Sequence, residues 1–291
     1  MSFLSYLING LSLGSVYAII ALGYTMVYGI AKMLNFAHGD VIMVGGFAIY
    51  TLMNSLGVNP ILAVLISVVI CTALGVTIEK IAYKPLRKAS PLAVLITAIG
   101  VSYLLQNLAL LIFGSDAKLF TSVVSTKAVS AGGFSITGET IVTIIACIII
   151  MVVLSVFIKK TKAGQAMLAV SEDKEAAELM GINVNATISL TFAIGSVLAA
   201  ISGALLCSAY PALTPYTGSM PGIKAFVAAV FGGIGSIPGA FVGGLLLGII
   251  ENLSKAYISS QMADAIVFSV LIIVLLVKPT GLLGKKISEK V

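Results

Sequence analysis

The sequence predicts an all-α protein that crosses a membrane several times. Of its 291 residues, 59% are hydrophobic and only 10% are charged, whereas about 25% of the residues in a typical soluble domain are charged. The hydrophobic residues form continuous runs of about 20, the length of a helix that spans the hydrocarbon core of a bilayer. Because these runs do not alternate with polar residues, helices are favoured over a β-barrel.

The apolar runs predict about eight transmembrane helices within a single transmembrane domain, residues 1–291. The predicted spans are 5–30, 40–56, 59–78, 91–113, 140–158, 186–209, 239–254 and 260–277. The run 223–233 is too short to cross as an ideal helix, which predicts a re-entrant or discontinuous segment. Asn59-Pro60 and Ser90-Pro91 each place an N-cap residue before a proline, a typical helix start.

The basic residues predict the orientation. The segments 79–90, 159–185 and 278–290, together with Lys32, hold 13 of the 17 Lys and Arg residues. All of them fall on one side if 223–233 counts as a short crossing, and the positive-inside rule makes that side cytoplasmic. The N-terminus and the long loop 114–139 are then outside and the C-terminus is cytoplasmic. The net charge of +6 therefore reports orientation rather than nucleic-acid binding.

The two halves of the chain contain similar segments. Gly14-Ser15-Val16-Tyr17-Ala18 lies in the first predicted span and Gly195-Ser196-Val197-Leu198-Ala199 in the sixth, which runs in the opposite direction. Each span is followed by an irregular stretch and then by a Gly-rich apolar segment. This order fits an inverted repeat, and it fits equally a coincidence among residues that are common in spans.

The segment 34–40 contains the polar residues that suggest a translocation pathway. Asn35, His38, Gly39 and Asp40 interrupt a helix, and such a break survives at membrane depth only where protein or water surrounds it. The break is either a discontinuity beside the pathway or a cytoplasmic turn with Asp40 as the N-cap of the next span. The residues alone favour the turn, because a charge within the membrane is costly.

The segment 210–222 is predicted to be an extended external connection. Its prolines, Pro211, Pro215 and Pro221, oppose a regular helix. The segment is either part of an outer gate or an ordinary link between spans. The hypothesis for the pathway places four residues near one constriction and two near the outer one. These residues are Asn35, Phe36, His38 and Asp40, and then Tyr216 and Met220.

The segment 231–248 is rich in glycine at helical spacing. Gly235, Gly239 and Gly243 recur every four residues, and Gly244 and Gly248 repeat that spacing. Such glycines form a smooth helix face that lets a neighbouring backbone approach closely. Tight helix packing is therefore favoured over direct contact with a solute.

The segment 163–182 predicts a short cytoplasmic helix. Ser171 is a suitable N-cap, Glu172 and Asp173 favour the first turn, and Gly181 is a C-terminal stop. The helix either docks in a groove of a cytoplasmic partner or lies as a solvated loop at the headgroups, and the residues do not separate these alternatives.

The sequence lacks the residues that several functional classes require. No Gly-x-x-x-x-Gly-Lys-Ser/Thr loop is present, so the chain is not expected to hydrolyse a nucleotide. One histidine cannot build a metal cluster or a hydrolase triad, so neither a metal nor a cofactor is expected. Lys224, Glu251 and Asp264 fall near predicted span ends, where their charges are expected to reach water.

Three motifs, in this order, resemble the LivH-type branched-chain amino acid permeases. The first includes Asn9-Gly10, Gly14-Ser15, Tyr17-Ala18, Leu22-Gly23, Tyr28-Gly29 and Asn35-Phe36-Ala37-His38-Gly39. The second runs from Ser171-Glu172-Asp173 through Ala176-Ala177-Glu178-Leu179-Met180-Gly181. The third is Phe231-Gly232-Gly233 followed by Gly235-Ser236, Pro238-Gly239 and Gly243-Gly244.

The resemblance implies the permease subunit of an ATP-binding-cassette importer in the cell membrane. The partners it implies are a second permease subunit (LivM-like, or a second copy), two cytoplasmic ATPase subunits that bind the ATP, and an extracytoplasmic binding protein. It implies ATPase coupling by Ser171, Glu172, Asp173, Ala176, Ala177, Glu178, Leu179 and Gly181, and it favours the pathway interpretation of 34–40. The implied solute is a branched-chain or other hydrophobic amino acid, although similar chains serve importers of urea and short amides.

Two other functions remain as alternatives. A secondary transporter driven by an ion gradient would also fit an inverted repeat, but it would favour buried acids within the spans. A channel or structural subunit would not need the cytoplasmic helix. The resemblance favours the importer over both.

Overall fold

A computed structural model describes residues 3–284 except 88, 125, 127, 132 and 133. Helices dominate these residues. They are α1 Phe3–Ala31, α2 His38–Asn54, α3 Pro60–Ile78, α4 Pro91–Phe113, α5 Gly138–Lys160, α6 Lys162–Glu172, α7 Lys174–Leu179, α8 Val184–Ala209, α9 Ser219–Gly232, α10 Ile237–Tyr257 and α11 Ala263–Val277. A π-helical turn Glu79–Tyr83 and a 3-10 turn Lys84–Leu86 extend α3.

Four short strands lie in the connections between helices. β1 Lys118–Leu119 pairs antiparallel with β4 Ala212–Leu213, joining the loop after α4 to the segment after α8. β2 Val129–Ala131 and β3 Phe134–Ile136 form an antiparallel hairpin within the loop 114–137. These short strands are confined to connections and helices form the rest of the regular structure, so the prediction of an all-α membrane protein is confirmed.

Six of the described helices are long and apolar enough to cross a membrane, rather than the eight predicted. They cover 3–31, 60–86, 91–113, 138–160, 184–209 and 237–257. The predicted spans 40–56 and 260–277 correspond to α2 and α11, which have 17 and 15 residues and are shorter than these six helices. The predicted short segment 223–233 is α9, which begins earlier and has 14 residues.

The core of the bundle is built around α1 and α8. In the most apolar part of α1, 89% of the residues are buried, and the corresponding share of α8 is 72%. For α3, α4 and α5 the share is 22–28%. The outer faces of these three helices are rich in exposed Ile, Leu and Val, which suits contact with lipid.

The helix contacts repeat between the two halves of the chain. Helix α1 packs antiparallel on α10, with Gly10 near Ile249 and Gly14 near Leu245. Helix α8 packs antiparallel on α3 and its π-helical extension, with Gly75 near Ser196 and Glu79 hydrogen-bonded to Ser189. The contact of α1 with α9 corresponds to that of α8 with α2, and the contact of α9 with α10 corresponds to that of α2 with α3. An inverted repeat that pairs α1–α3 with α8–α10 produces this pattern.

Candidate translocation site and coupling surface

The break after α1 lies inside the bundle. Lys32 adopts a left-handed conformation (φ 58°) and the chain is non-helical as far as Ala37. Helix α2 then starts with the His38 ring against Gly23 and at 4.8 Å from the ring of Tyr24. Gly23 is about 12 Å along the axis from the end of α1, so the chain turns back into the fold.

The residues alone favoured a turn with Asp40 as the N-cap of the next span, and this N-cap assignment is wrong. Asp40 lies in the first turn of α2, whose N-cap is Ala37 without a side-chain hydrogen bond. The hydropathy of a segment reports its composition and not its burial among other helices. The sequence therefore did not show that the chain folds back along α1 after this break.

A second break precedes α9, and the two meet. The chain is non-helical from Tyr210 to Gly218, apart from the strand β4, and α9 begins at Ser219. Pro221 lies within the first turn of α9, where proline is tolerated, so the predicted extended segment ends earlier than expected. A Cβ atom added to Gly222 would lie 3.0 Å from Gly39 Cα. The N-terminal ends of α2 and α9, both carrying partial positive charge, therefore converge.

Asp40 lies beside this junction and is 2% exposed. Gln106 of α4 donates a hydrogen bond from Nε2 to Asp40 Oδ1 at 2.9 Å, and the same nitrogen is 3.2 Å from both Ser102 Oγ and Ser219 Oγ. A cavity of about 400 Å³ opens onto this group. Its lining residues are Phe36, Gly39, Asp40, Leu95, Ile99, Ser102, Tyr103, Gln106, Ser219 and Ile223.

The structure thus brings two of the predicted pathway residues, Phe36 and Asp40, to one cavity. Gln106, Ser102 and Ser219 were not among the predicted pathway residues. Gln106 and Ser102 had a detectable signal, because they are polar residues one helical turn apart in an apolar span.

The other predicted pathway residues lie elsewhere. Asn35 is buried and accepts a hydrogen bond from the Tyr83 hydroxyl at 3.0 Å. The His38 ring is buried between α1 and α8, and its Nε2 has no hydrogen-bond partner among the described residues. Tyr216 and Met220 are exposed near the start of α9 and do not line the cavity. Asn35 and His38 therefore contact neighbouring helices at the break and do not line the cavity.

A buried ionic cluster around Lys224 of α9 links four helices. Glu251 accepts hydrogen bonds from Tyr17 Oη at 2.8 Å, Lys224 Nζ at 2.8 Å and Lys255 Nζ at 2.5 Å. Lys224 Nζ is also 2.6 Å from Asp264. The expectation that these charges reach water is wrong for Glu251, which is 1% exposed, and for Lys224, at 6%. They are buried because their charges are paired across α9, α10 and α11.

A second ionic cluster lies where α3 and α8 approach the predicted cytoplasmic side. Glu79 is fully buried, pairs with Arg87 and accepts a hydrogen bond from Ser189 Oγ at 2.7 Å. Arg87 also donates to Asn185 on α8. The carboxylate is therefore neutralised by a basic residue within the same connection.

The segment 163–182, predicted to form one short cytoplasmic helix, lies in two helices, α6 and α7. Asp173 is the N-cap of α7, with its carboxylate accepting from the backbone N–H groups of Glu175 at 2.9 Å and Ala176 at 3.0 Å. The predicted cap, Ser171, instead ends α6 together with Glu172, and its hydroxyl donates to the Leu168 carbonyl at 2.7 Å. Gly181 has a φ of +84°, which only glycine adopts readily, and stops the segment as predicted.

Helix α7 packs through one face and leaves the other free. Ala177 is buried, whereas Glu178 is exposed, and Leu179 and Met180 are 89% and 82% exposed. Lys174 Nζ donates to the carbonyl of Ala31, the last residue of α1, at 2.9 Å. Burial, followed by the charges of Arg87 and Lys32, lowers the pKa of Lys174. The segment therefore offers an exposed apolar tip and is anchored to the start of the first break.

The glycines of the Gly-rich segment lie on two faces of α10 and in the turn before it. Gly239 and Gly243 contact Gly232 and Ala228 of α9, while Gly244 and Gly248 contact Ala18 and Gly14 of α1. Gly235 is not on the helix. It lies in the turn 233–236 with a φ of +92°. The single face inferred from the spacing of four is therefore wrong, because the helix starts after Gly235.

Comparison with known proteins agrees with this architecture. Residues 6–276 match the family described as branched-chain amino acid transport system / permease component. The chain is 45% identical to the high-affinity branched-chain amino acid transport system permease protein LivH of Escherichia coli strain K12, over 99% of this chain and 98% of that protein. It is 42% identical to the corresponding permease protein BraD of Pseudomonas aeruginosa, with the same coverage.

A solved structure shares the fold. It is PsaBC from Streptococcus pneumoniae in complex with Fab, with a TM-score of 0.50 and 16% sequence identity, covering 94% of this chain and 92% of that one. The family match spans nearly the whole chain, and the described helices are those of a multi-pass membrane protein. The chain therefore belongs to the family of permease components of branched-chain amino acid transport systems.

Proposed function

We propose that this permease component carries branched-chain or other hydrophobic amino acids into the cell, driven by ATP that separate subunits hydrolyse. The observation that carries the proposal is the 42–45% identity, over 99% of the chain, to permeases named for high-affinity branched-chain amino acid transport. The same relationship favours ATP over an ion gradient as the source of energy. Of the three acids that are buried among the described residues, Glu79 and Glu251 are each paired with a basic residue, and only Asp40 has no basic partner.

The proposed pathway includes the junction of α2 and α9. Two broken helices that meet inside the bundle expose polar backbone and side chains at membrane depth, as transporters do around their solute. Phe36 and Asp40 line the cavity there, while Asn35 and His38 support the break. Tyr216 and Met220 are proposed to contribute to the outer entrance, because both are exposed beside the start of α9.

The proposed assembly contains two permease subunits, two ATPase subunits and a binding protein. This chain pairs with a second permease subunit, LivM-like or a second copy, and two ATPase subunits bind on the cytoplasmic side. An extracytoplasmic binding protein delivers the solute. The residues 1–291 form one transmembrane domain, with the N-terminus outside and the C-terminus in the cytoplasm, and this orientation places α6 and α7 beside the ATPases.

The proposed coupling surface is α7 with the ends of α6. Leu179 and Met180 project from it and are almost fully exposed, which suits an apolar groove on a partner. Lys174 bonds to the end of α1, so movement of α7 is transmitted to the break that leads to Asp40. The coupling residues Ser171, Glu172, Asp173 and Gly181 set the ends of the two helices.

Co-purification with the ATPase subunits tests this proposal. Replacing Leu179 and Met180 by Ser should release the ATPases, because the apolar docking surface is lost, while the permease itself stays folded. The matched control replaces Leu168, which is half-exposed on α6. Unchanged ATPase retention and unchanged ATP hydrolysis in the double variant would contradict the assignment of α7 as the docking surface.

A further inference from the structure

Three acids are buried in the described part of the chain: Asp40, Glu79 and Glu251. Glu79 pairs with Arg87, and Glu251 pairs with Lys224 and Lys255. Among the described residues Asp40 has no such cation, and its carboxylate is hydrogen-bonded to the neutral amide of Gln106. A buried carboxylate is stable when its charge is balanced, so Asp40 differs from the other two in a way that calls for a cationic ligand.

The surroundings of Asp40 leave room for such a ligand. The cavity of about 400 Å³ lies within the range of small-molecule sites. Among the residues the structure describes, no basic side chain lines it. The N-terminal ends of α2 and α9 favour the ionised carboxylate but supply only partial charges. The protein therefore provides a buried carboxyl group that faces a cavity and has no basic partner among the described residues.

The other walls of the cavity are apolar. Phe36, Leu95, Ile99 and Ile223 line it beside the polar group of Gln106, Ser102 and Ser219. One acidic end and one aliphatic end are complementary to a molecule that carries an ammonium group next to a branched hydrocarbon. Urea and neutral amides have no cationic group, so they offer Asp40 no opposite charge.

We propose that this cavity binds a hydrophobic amino acid with its α-ammonium group on Asp40 and its side chain against Leu95, Ile99 and Ile223. The inference rests on the proposed function and specifies the solute class of that site. The ammonium group donates up to three hydrogen bonds, and those to a carboxylate are charge-assisted. Ser219, at the N-terminal end of α9, is placed to donate to the α-carboxylate.

Photo-crosslinking of the intact complex tests the proposal. The complex of permeases and ATPases, without the binding protein, is irradiated with a diazirine analogue of leucine, and the labelled peptides are mapped by mass spectrometry. We expect labelling of α4 between Leu95 and Gln106. Asp40→Asn should reduce that labelling about tenfold or more, because a charge-assisted hydrogen bond is lost. The matched control is Asp116→Asn, at an exposed loop position.

Two competitors separate the ends of the ligand. 3-Methylbutylamine keeps the ammonium group and the branched chain, and it should protect α4 from labelling in the unaltered complex. 4-Methylpentanoate keeps the chain and carries only a carboxylate, so it should protect at least tenfold less well. Equal protection by the two compounds, or full labelling in Asp40→Asn, would overturn the proposal. If Asp40→Asn does not assemble, the competitor comparison in the unaltered complex decides the question.

The same preparation distinguishes failure of this inference from failure of the proposed function. ATP hydrolysis is measured with leucine-loaded binding protein in the unaltered complex. Hydrolysis that rises on loading, together with labelling that ignores Asp40, refutes only the assignment of the ligand to this cavity. Hydrolysis that does not respond to the binding protein refutes the importer function itself and, with it, the basis of the inference.

Discussion

Replacing Gly14 by Ala tests the close contact between α1 and α10. A Cβ atom at this position would lie 2.7 Å from the carbonyl oxygen of Leu245 and 2.8 Å from its Cα. Ordinary contacts begin at 3.4 Å, so the two helices must separate by roughly 0.6 Å at this point. Both neighbouring atoms belong to the backbone and cannot rotate away.

The expected cost follows from that geometry. Overpacking of a well-packed interior costs about 1–3 kcal/mol, and the upper part of this range applies because the backbone must move. Alanine regains about 1 kcal/mol as a better helix former, so the net loss is about 2 kcal/mol. The matched control is Gly100→Ala on α4, where nothing lies within 4 Å of the added atom. It should be neutral or more stable by up to about 1 kcal/mol.

Thermal unfolding with a thiol-reactive dye measures the difference. Cys71, Cys147 and Cys207 are free and buried, so each becomes reactive when the bundle opens, and the chain has no tryptophan for an intrinsic signal. A stability difference of about 3 kcal/mol between the two variants corresponds to about 6–12 °C in Tm. If Gly14→Ala and Gly100→Ala melt within 1 °C of each other, the close approach of α1 and α10 is refuted.

Four further variants give distinct outcomes. Glu251→Gln should lower stability by about 3 kcal/mol, the lower end of the cost of breaking a buried ion pair, because Lys224 keeps only its contact with Asp264. A fall in Tm no larger than that of Asp264→Asn would contradict this. Tyr17→Phe removes one hydrogen bond to the same carboxylate and should cost about 1.5–3 kcal/mol, again measured by Tm. Gly181→Ala should lower stability by about 1 kcal/mol, because alanine adopts the positive φ of this position less readily. Amide hydrogen exchange in α7 should then be faster than in the unaltered protein, whereas Gly100→Ala should leave it unchanged. The pKa of Lys174 is lowered in the folded state. Between that pKa and about 10.4 the unfolded chain therefore binds more protons, and stability rises with pH. Lys174→Gln should reduce the rise in Tm over that interval, and an unchanged pH profile of Tm would refute the lowered pKa.

The sequence predicts the helical bundle well because the signal is local. Continuous apolar runs identify α1, α3, α4, α5, α8 and α10, and the capping residues Asn59 and Ser90 are observed to accept hydrogen bonds from the first helical turns. The break at 34–40 is also visible as a group of polar and small residues. Its depth is not, since it depends on how far the chain folds back along α1.

The clusters of charge could not be predicted for the same reason. Lys224 and Glu251 are 27 residues apart, and each alone looks like a residue near the end of a span that reaches water. Their pairing depends on the packing of α9 against α10, which no local pattern specifies. The choice between Ser171 and Asp173 as a cap is similar. Both are good N-cap residues, and the point where α6 ends decides between them.

Uptake into proteoliposomes is the direct test of ATP-driven import by this permease. The permease is reconstituted with its ATPases and a leucine-loaded binding protein, and leucine accumulation is followed with ATP present, with ATP absent, and with an imposed proton or sodium gradient. We predict accumulation that requires ATP and the binding protein and that falls about tenfold or more in Asp40→Asn. Accumulation driven by the ion gradient without ATP would contradict it.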